Sequence, residues 1–403
     1  MDLKLLYHGF DGLDVSFQCR PEPAFLAMLS AAKSEAQKTQ ATCKINFFGV
    51  DMDVAATGAV GFSFRADTGP AGETWFIANS LKSNGWNVRV SVKSLALATL
   101  GYQAVKDRLL KRLEIFTDEV LSHSVGRIDF AVDVEAPDFV LEPENFVCHW
   151  RATQGQHRVR NREMVSDSET GEALEIVGNG GKINSVTIGK MPGRQVIVYN
   201  KRREVIDRQK SYWWAIWYPD ECGAGEVPKE VRARRVWRVE IRSGKRDLKE
   251  RWNVSTFDQL EASLGAIYAE TLSAIRLNAP QAEQTDSNKS RQKVHVLWDM
   301  ALAHAERPFN EVEKVNPSRV IEITQAQMQE RYRALFAGLA ASYSVMLGAR
   351  VGEVPGVLGQ DIAASVMQRV KDAPAKFKEA QQRAGKRLRF MTDVTAWQMP
   401  RAA

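Results

Sequence analysis

Three segments of this chain alternate apolar and polar residues over a full strand length: RIDFAVDV at 127–134, RQVIVYN at 194–200 and RVWRVEIR at 235–242. Side chains alternate faces along a strand, so each segment predicts a strand with one face in a core. In the first, Arg127, Asp129, Ala131 and Asp133 share a face opposite Ile128, Phe130, Val132 and Val134. In the third, Arg238, Glu240 and Arg242 stand opposite Trp237, Val239 and Ile241. In the second, Tyr199 is in register with Gln195, Ile197 and Lys201. A half-buried sheet that gathers acids among arginines suits a hard divalent cation, Mg²⁺ or Mn²⁺, on carboxylate oxygens. The plainer reading is a solvent-facing sheet with weak surface ion pairs. Asp129 and Asp133 lie about 13 Å apart along a regular strand, so one ion reaches both only if the strand bulges.

The flanking patterns place these strands in a larger α+β fold. Residues 44–92 hold short apolar runs broken by glycines, which predict strands and turns. SLALATLGYQAVKDRLLKRLEIFTDEVL, 94–121, has helical spacing with Leu109, Leu110, Leu113 and Phe116 on one side. Residues 151–182 are polar and glycine-rich and predict a long mobile connection. NSVTIGK and RQVIVYN form a hairpin around Pro192 and Gly193, and a basic helical stretch follows. Each half thus reads hairpin, helix, strand. The expected organisation is a domain over 1–277 with halves at about 1–150 and 183–277, a linker at 278–293, and a helical region over 294–403.

The chain has 403 residues, 44% of them hydrophobic, and a net charge of +6. That length supports two or three domains, and the modest positive excess is compatible with a polyanionic partner. Cys19, Cys43, Cys148 and Cys222 form no close pair, which argues against a disulfide framework and fits a reducing cytoplasm. No apolar run is long enough to cross a bilayer, and no signal peptide is expected. No Walker motif is present, so unwinding of duplex DNA would need a separate helicase.

In this order, RIDFAVDV, VTIGKMPGRQVIVYNKRREV and RVWRVEIR resemble the replication initiation factor family. These are the rolling-circle initiators of plasmids and filamentous phages, with related conjugative relaxases. GLDVSF and VRVSVKSLALATLGYQAV resemble its N-terminal half, so the likeness spans roughly residues 1–260. The resemblance implies a fold of two halves, each like an RNA-recognition domain. It also implies a tyrosine that nicks one DNA strand and stays on the 5′ phosphate. By motif position Tyr199 is the nucleophile and Lys201 a phosphate or transition-state partner. Asp129, Glu240 and Asp133 are the metal ligands, and Arg238 and Arg127 grip phosphate or orient the acids. Surrounding cations would favour the phenolate. Two positions depart from the pattern: Asn200 replaces a common acid and Gly193 a frequent serine. No His-x-His pair occurs.

Residues 229–252 carry ten basic and four acidic residues. With Arg127, Arg194, Arg202 and Arg203, the expected phosphate contacts are Arg234, Arg235, Arg242, Lys245 and Arg246. The partner is origin DNA, single-stranded and duplex. The basic C-terminal helices would bind duplex or form a homodimer. SYWWAIWYPDE places Trp213 and Trp217 on one helical face, which favours packing over base stacking. The rival readings are a conjugative relaxase with the same chemistry and a sequence-specific DNA-binding regulator that does not cut.

Overall fold

The computed structural model describes residues 2–79, 85–148, 164–166, 173–179, 181–222, 227–289, 291–310, 317–348 and 356–392. Strand β1 (Lys4–Pro21) precedes helix α1 (Pro23–Thr39) and five short strands. These are β2 (Cys43–Phe47), β3 (Val50–Val54), β4 (Phe64–Asp67), β5 (Glu73–Ile77) and β6 (Val88–Val92). Helices α2 (Ser94–Leu100) and α3 (Tyr102–Phe116) lead to β7 (Thr117–Glu135). After β8 (Phe146–Cys148) come β9 (Met164–Ser166), β10 (Ala173–Asn179), β11 (Lys182–Gly189) and β12 (Arg194–Asn200). Helices α4 (Lys201–Asp207), α5 (Tyr212–Trp217) and α6 (Lys229–Ala233) precede β13 (Val236–Gly244). Then follow α7 (Phe257–Ala274), β14 (Ile275–Leu277), α8 (Val296–Ala305), α9 (Pro317–Met346), α10 (Gly356–Asp372) and α11 (Pro374–Thr392).

All three alternating segments enter one antiparallel sheet, ordered β2-β3-β4-β5-β6-β1-β7-β13-β12-β11-β10-β9. The fold is α+β with a helical C-terminal region. In the first half β6 and β7 flank β1, and α2 and α3 carry the chain between them. In the second half α4 to α6 link β12 to its direct neighbour β13. The halves join at the β7–β13 seam, where Asp133 pairs with Arg238 and Asp129 with Arg242.

One face of the sheet packs on α1, α3, α7 and α8 in a single apolar core. The stripe on α3 is buried through Leu109, Leu113 and Phe116, at roughly 1.5–3 kcal/mol each. On the other face α5 and the start of α9 cover only the β1–β13 region, through Trp213, Trp217, Val320 and Ile323.

Three expectations change. The helical run over 94–121 is two helices, because Gly101 takes φ +78° between them, and it ends at Phe116. There Thr117 pairs with Pro21 and starts β7. The connection read over 151–182 contains β9 and β10 at the sheet edge; residues 151–163, 167–172 and 180 lie outside the described residues. The described residues of 278–293, whose polar composition reads as a linker, are hydrogen-bonded to one another. The Asn278 amide donates to the Lys289 carbonyl at 2.9 Å and to Gln292 at 3.1 Å. They dock α8 on the main core, where the buried Trp298 indole donates to the Leu272 carbonyl at 2.9 Å.

Under the first half, α3 is fixed by a fully buried acid that the sequence patterns do not single out. Glu73 accepts from Arg108 Nε at 2.9 Å, from Thr68 at 2.9 Å and from Arg112. Burial opposes its charge, but the two guanidiniums outweigh that and hold its pKa below the ordinary value. Removing one partner of such a group leaves the others uncompensated. Glu73→Ala is expected to cost about 3–5 kcal/mol, read as a lower urea midpoint at unchanged slope; a change under about 1 kcal/mol would show the network to be slack.

Candidate active site at the β7–β13–β12 seam

Register brings Tyr199 beside Arg238, and Arg238 beside Asp133, on three adjacent strands. β12 ends at Asn200, whose side-chain oxygen accepts the Arg203 N–H at 3.0 Å and so caps α4. An amide caps as well as the acid expected there. The chain turns into helix directly after Tyr199, and Lys201 folds back over the strand end. Its Nζ lies 3.3 Å from the Tyr199 hydroxyl, 2.8 Å from Glu204 and 4.9 Å from the Trp213 ring centre. The Tyr199 hydroxyl donates to Glu240 Oε2 at 2.9 Å. Lys201, Arg238 and Glu240 are fully buried, and of these four residues only Tyr199 is half-buried.

Arg238 is clamped from two sides. Its Nε and Nη2 donate to Asp133 at 2.5 and 2.8 Å, and its Nη1 donates to Asp11 at 2.5 Å. The guanidinium lies 4.3 Å from the Trp213 ring centre. Of the two roles read for Arg238, holding phosphate or orienting acids, a fully buried side chain leaves only the second. Asp11 is absent from the sequence reading. It sits at a bulge in β1, between Phe10 paired with Phe130 and Gly12 paired with Asp129. Bulges re-aim side chains, and a glycine within a strand marks close approach. A Cβ on Gly12 would stand 2.6 Å from Asp129 Oδ2. The signal available in the sequence was the Asp-Gly pair inside an otherwise alternating strand.

The two remaining acids are held by arginines. Arg127 grips Asp129 through Nε and Nη2, at 2.8 and 2.5 Å. Arg242 donates to Glu240 at 2.6 Å and lies 3.9 Å from Asp129. Both guanidiniums are partly exposed. In the free chain the acids expected to hold a metal ion are thus all held by protein groups. Asp133 is engaged by Arg238 and by the Trp217 indole N–H at 2.8 Å, so it is no ligand. Asp129 and Glu240 already carry cationic partners. Among the described residues no three His, Cys, Asp or Glu side chains are placed to hold an ion. The residues present do not fit a resident Mg²⁺ or Mn²⁺.

The expectation that cations favour the Tyr199 phenolate is also overturned. Burial and the Glu240 charge raise its pKa well above the ordinary value, more than Arg238 lowers it. Burial, with the charge of Arg238, pushes Lys201 down. Burial works against the Asp11 carboxylate, but Arg238 and Lys201 outweigh it and hold its pKa low.

The other basic residues fall into two groups at opposite ends of β13, roughly 30 Å apart. At one end Arg202 donates to the Arg232 carbonyl at 2.5 Å, Arg203 pairs with Asp207 at 3.4 Å and Arg234 pairs with Glu221 at 2.6 Å. There too, exposed Arg235 donates to the Pro137 carbonyl. At the other end Arg194 lies 3.5 Å from Glu270, and Lys245 and Arg246 are exposed beside the Pro192–Gly193 hairpin. The tryptophans are buried, as their spacing predicts, with Trp213 and Trp217 stacked at 5.7 Å.

No family model matches the chain, and no curated protein matches it. Among solved structures it is similar to the rolling circle replication initiator protein from Geobacillus stearothermophilus. Identity is 14%, coverage is 76% of this chain and 97% of that one, and the TM-score is 0.35, which does not establish a shared fold. No described helix is long and apolar enough to cross a membrane.

Asp129 gives the site a pH signature. Burial pushes its pKa up to about 6, the Glu240 charge adds to this, and Arg127 opposes it. The unfolded value is about 3.9, so the folded chain keeps this proton between about pH 4 and 6. The contribution of Asp129 to stability is therefore full below pH 4 and is lost as pH rises through 6, by up to about 3 kcal/mol. Urea unfolding at stepped pH should show that decline, and Asp129→Asn should remove it. An unchanged slope in the variant would assign the titration to another group.

Proposed function

We propose that this chain is a DNA strand nicking and joining enzyme of the rolling-circle initiator type, with Tyr199 as nucleophile. One observation carries the reading: a half-buried tyrosine at a strand end donates to a carboxylate, receives a lysine, and has two partly exposed arginines on the same sheet face. That set matches the needs of attack on a phosphodiester. A base must take the phenol proton, a donor must meet the oxygen as its charge develops, and cations must hold the non-bridging phosphate oxygens. The similar solved structure, a rolling circle replication initiator protein, agrees with this reading but adds no weight to it.

In this mechanism Glu240 takes the proton as Tyr199 Oη attacks phosphorus. A P–O bond to tyrosine forms and the bond to the 3′ oxygen breaks. That oxygen takes a proton from water, and Glu240 later releases its own to solvent, leaving a free 3′ hydroxyl and a 5′ phosphate esterified to Tyr199. Rejoining is the reverse. Lys201 stabilises the oxygen of Tyr199 when it is negative. Arg127 and Arg242 exchange their carboxylates for phosphate oxygens, a charge-assisted contact that guanidinium makes well. The high resting pKa of Tyr199 keeps the phenol protonated until Glu240 acts on it. The substrate is the origin of the chain's own replicon, and a separate helicase unwinds it. Use of the same cut in conjugative mobilisation involves no different residue.

A second reading is favoured by the pairing of both arginines with carboxylates in the free chain: a DNA-binding regulator in which the seam is purely structural. Supercoiled DNA carrying the replicon that encodes the chain separates the two, with and without added divalent ion. Cutting predicts a protein–DNA adduct at a 5′ end, abolished by Tyr199→Phe with binding retained. Glu240→Gln should slow it by about 10²–10⁴-fold. Binding without any adduct from the unaltered chain would leave the regulator reading, and an adduct persisting in Tyr199→Phe would move the nucleophile elsewhere.

A further inference from the structure

The face that carries Tyr199 continues across the sheet into the first half, where the described helices leave it uncovered. Successive strand registers trace the path. Arg65 on β4 pairs with Phe76 on β5, Phe76 with Arg89 on β6, and Arg89 with Ser16 on β1. Two residues back along β1, Asp14 pairs with Arg127 of the site. Two strand spacings and two residues of rise put Arg89 roughly 12 Å from Arg127.

The chemistry of this face differs from that of a solvated sheet. The Arg89 guanidinium lies 4.3 Å from the Phe76 ring centre and 5.4 Å from that of Phe62, and the two rings stand 6.1 Å apart. Both rings are half-buried, and Arg65 is exposed. Neither Arg65 nor Arg89 has a carboxylate partner among the described residues. Of the nearby acids, Asp67 is met by Lys93 at 2.6 Å and Asp51 by Lys44 at 3.6 Å, while Asp14 lies in register with Arg127. A ring on β5 and a ring on the loop before β4, with cations lacking carboxylate partners beside them and a small polar side chain, Ser16, next on the path, form a stacking platform.

We propose that Phe62, Phe76, Arg65 and Arg89 bind single-stranded DNA and that the strand runs over β6 and β1 to Arg127 and the Tyr199 site. Bases stack on the rings, and the guanidiniums pair with phosphates. The choice of DNA over RNA rests on the nicking reading; the platform itself does not. It also takes the stacking role away from the tryptophans of 213–217, which are buried.

The test measures fluorescence anisotropy of a labelled oligonucleotide of about 16 nucleotides. The Tyr199→Phe chain is used, so that no adduct forms. Phe76→Ala should weaken binding roughly 5- to 100-fold, and Phe76→Trp should restore it. Arg89→Gln should lower the salt slope by about 0.7. Melting temperatures within about 3 °C of the parent exclude misfolding as the cause. Unchanged affinity in both Phe76→Ala and Arg89→Gln overturns the platform, and so does equal loss in Phe76→Trp. Tighter binding of RNA of the same sequence overturns the assignment to DNA. Platform-dependent binding, with no adduct from the unaltered chain on supercoiled DNA, leaves this inference standing and removes the nicking reading. An adduct indifferent to Phe76 and Arg89 does the opposite.

Discussion

The buried guanidinium of Arg238 is the charge around which the two halves of the sheet close. It belongs to β13, and it binds Asp133 on β7, Asp11 on β1 and the ring of Trp213 on α5. Taking a guanidinium out of water costs several kcal/mol, and only well-placed partners offset that. Two carboxylates do so, and leave the clamp with one excess negative charge. Lys201 stands next to that excess and is itself met by Glu204, which Lys210 reaches from the partly exposed end at 2.7 Å. The charges therefore alternate from the core outwards, and each buried ion is held by the next.

This chain of ions sets the state of Tyr199. The phenol faces Glu240 on one side and Lys201 on the other. Burial is the largest influence on the phenol; with Arg238 committed to two acids, the carboxylate of Glu240 is the stronger of the two neighbouring charges. A lysine or arginine near a tyrosine does not by itself make a phenolate; what matters is which acids have already claimed the cation. The same holds for Asp129 and Glu240, whose oxygens face guanidinium where the sequence suggested an ion.

Period-two patterning made the three seam strands legible, down to the face each side chain takes. The helical spacing of Trp213 and Trp217 likewise identified a packed pair. Partnership was not legible. Asp133 and Arg238 read as independent functional residues because nothing local reveals that they pair across the seam. Asp11 was missed because a bulge breaks the alternation on which the reading relied. The basic count over 229–252 suggested one patch, yet a straight strand sends its two ends to opposite edges. The order of strands, with β1 between β6 and β7, depends on contacts between distant residues and leaves no trace in any single window.

The clamp also bears on how the chain acquires its structure. Arg238 and Asp133 are 105 residues apart in sequence, and Arg238 and Asp11 are 227 apart. Contacts this distant form late, because the loops they close lose much entropy before anything compensates. Neither half contains both Arg238 and its two acids, so neither can complete the clamp beside Tyr199 alone, although Lys201 and Glu240 share a half with the phenol. A nascent chain stopped before β13 holds Asp11 and Asp133 without Arg238, the guanidinium that pairs with both. The tyrosine thus acquires its partners only when the last central strand is in place, and a partly made or truncated chain carries the phenol without the machinery around it.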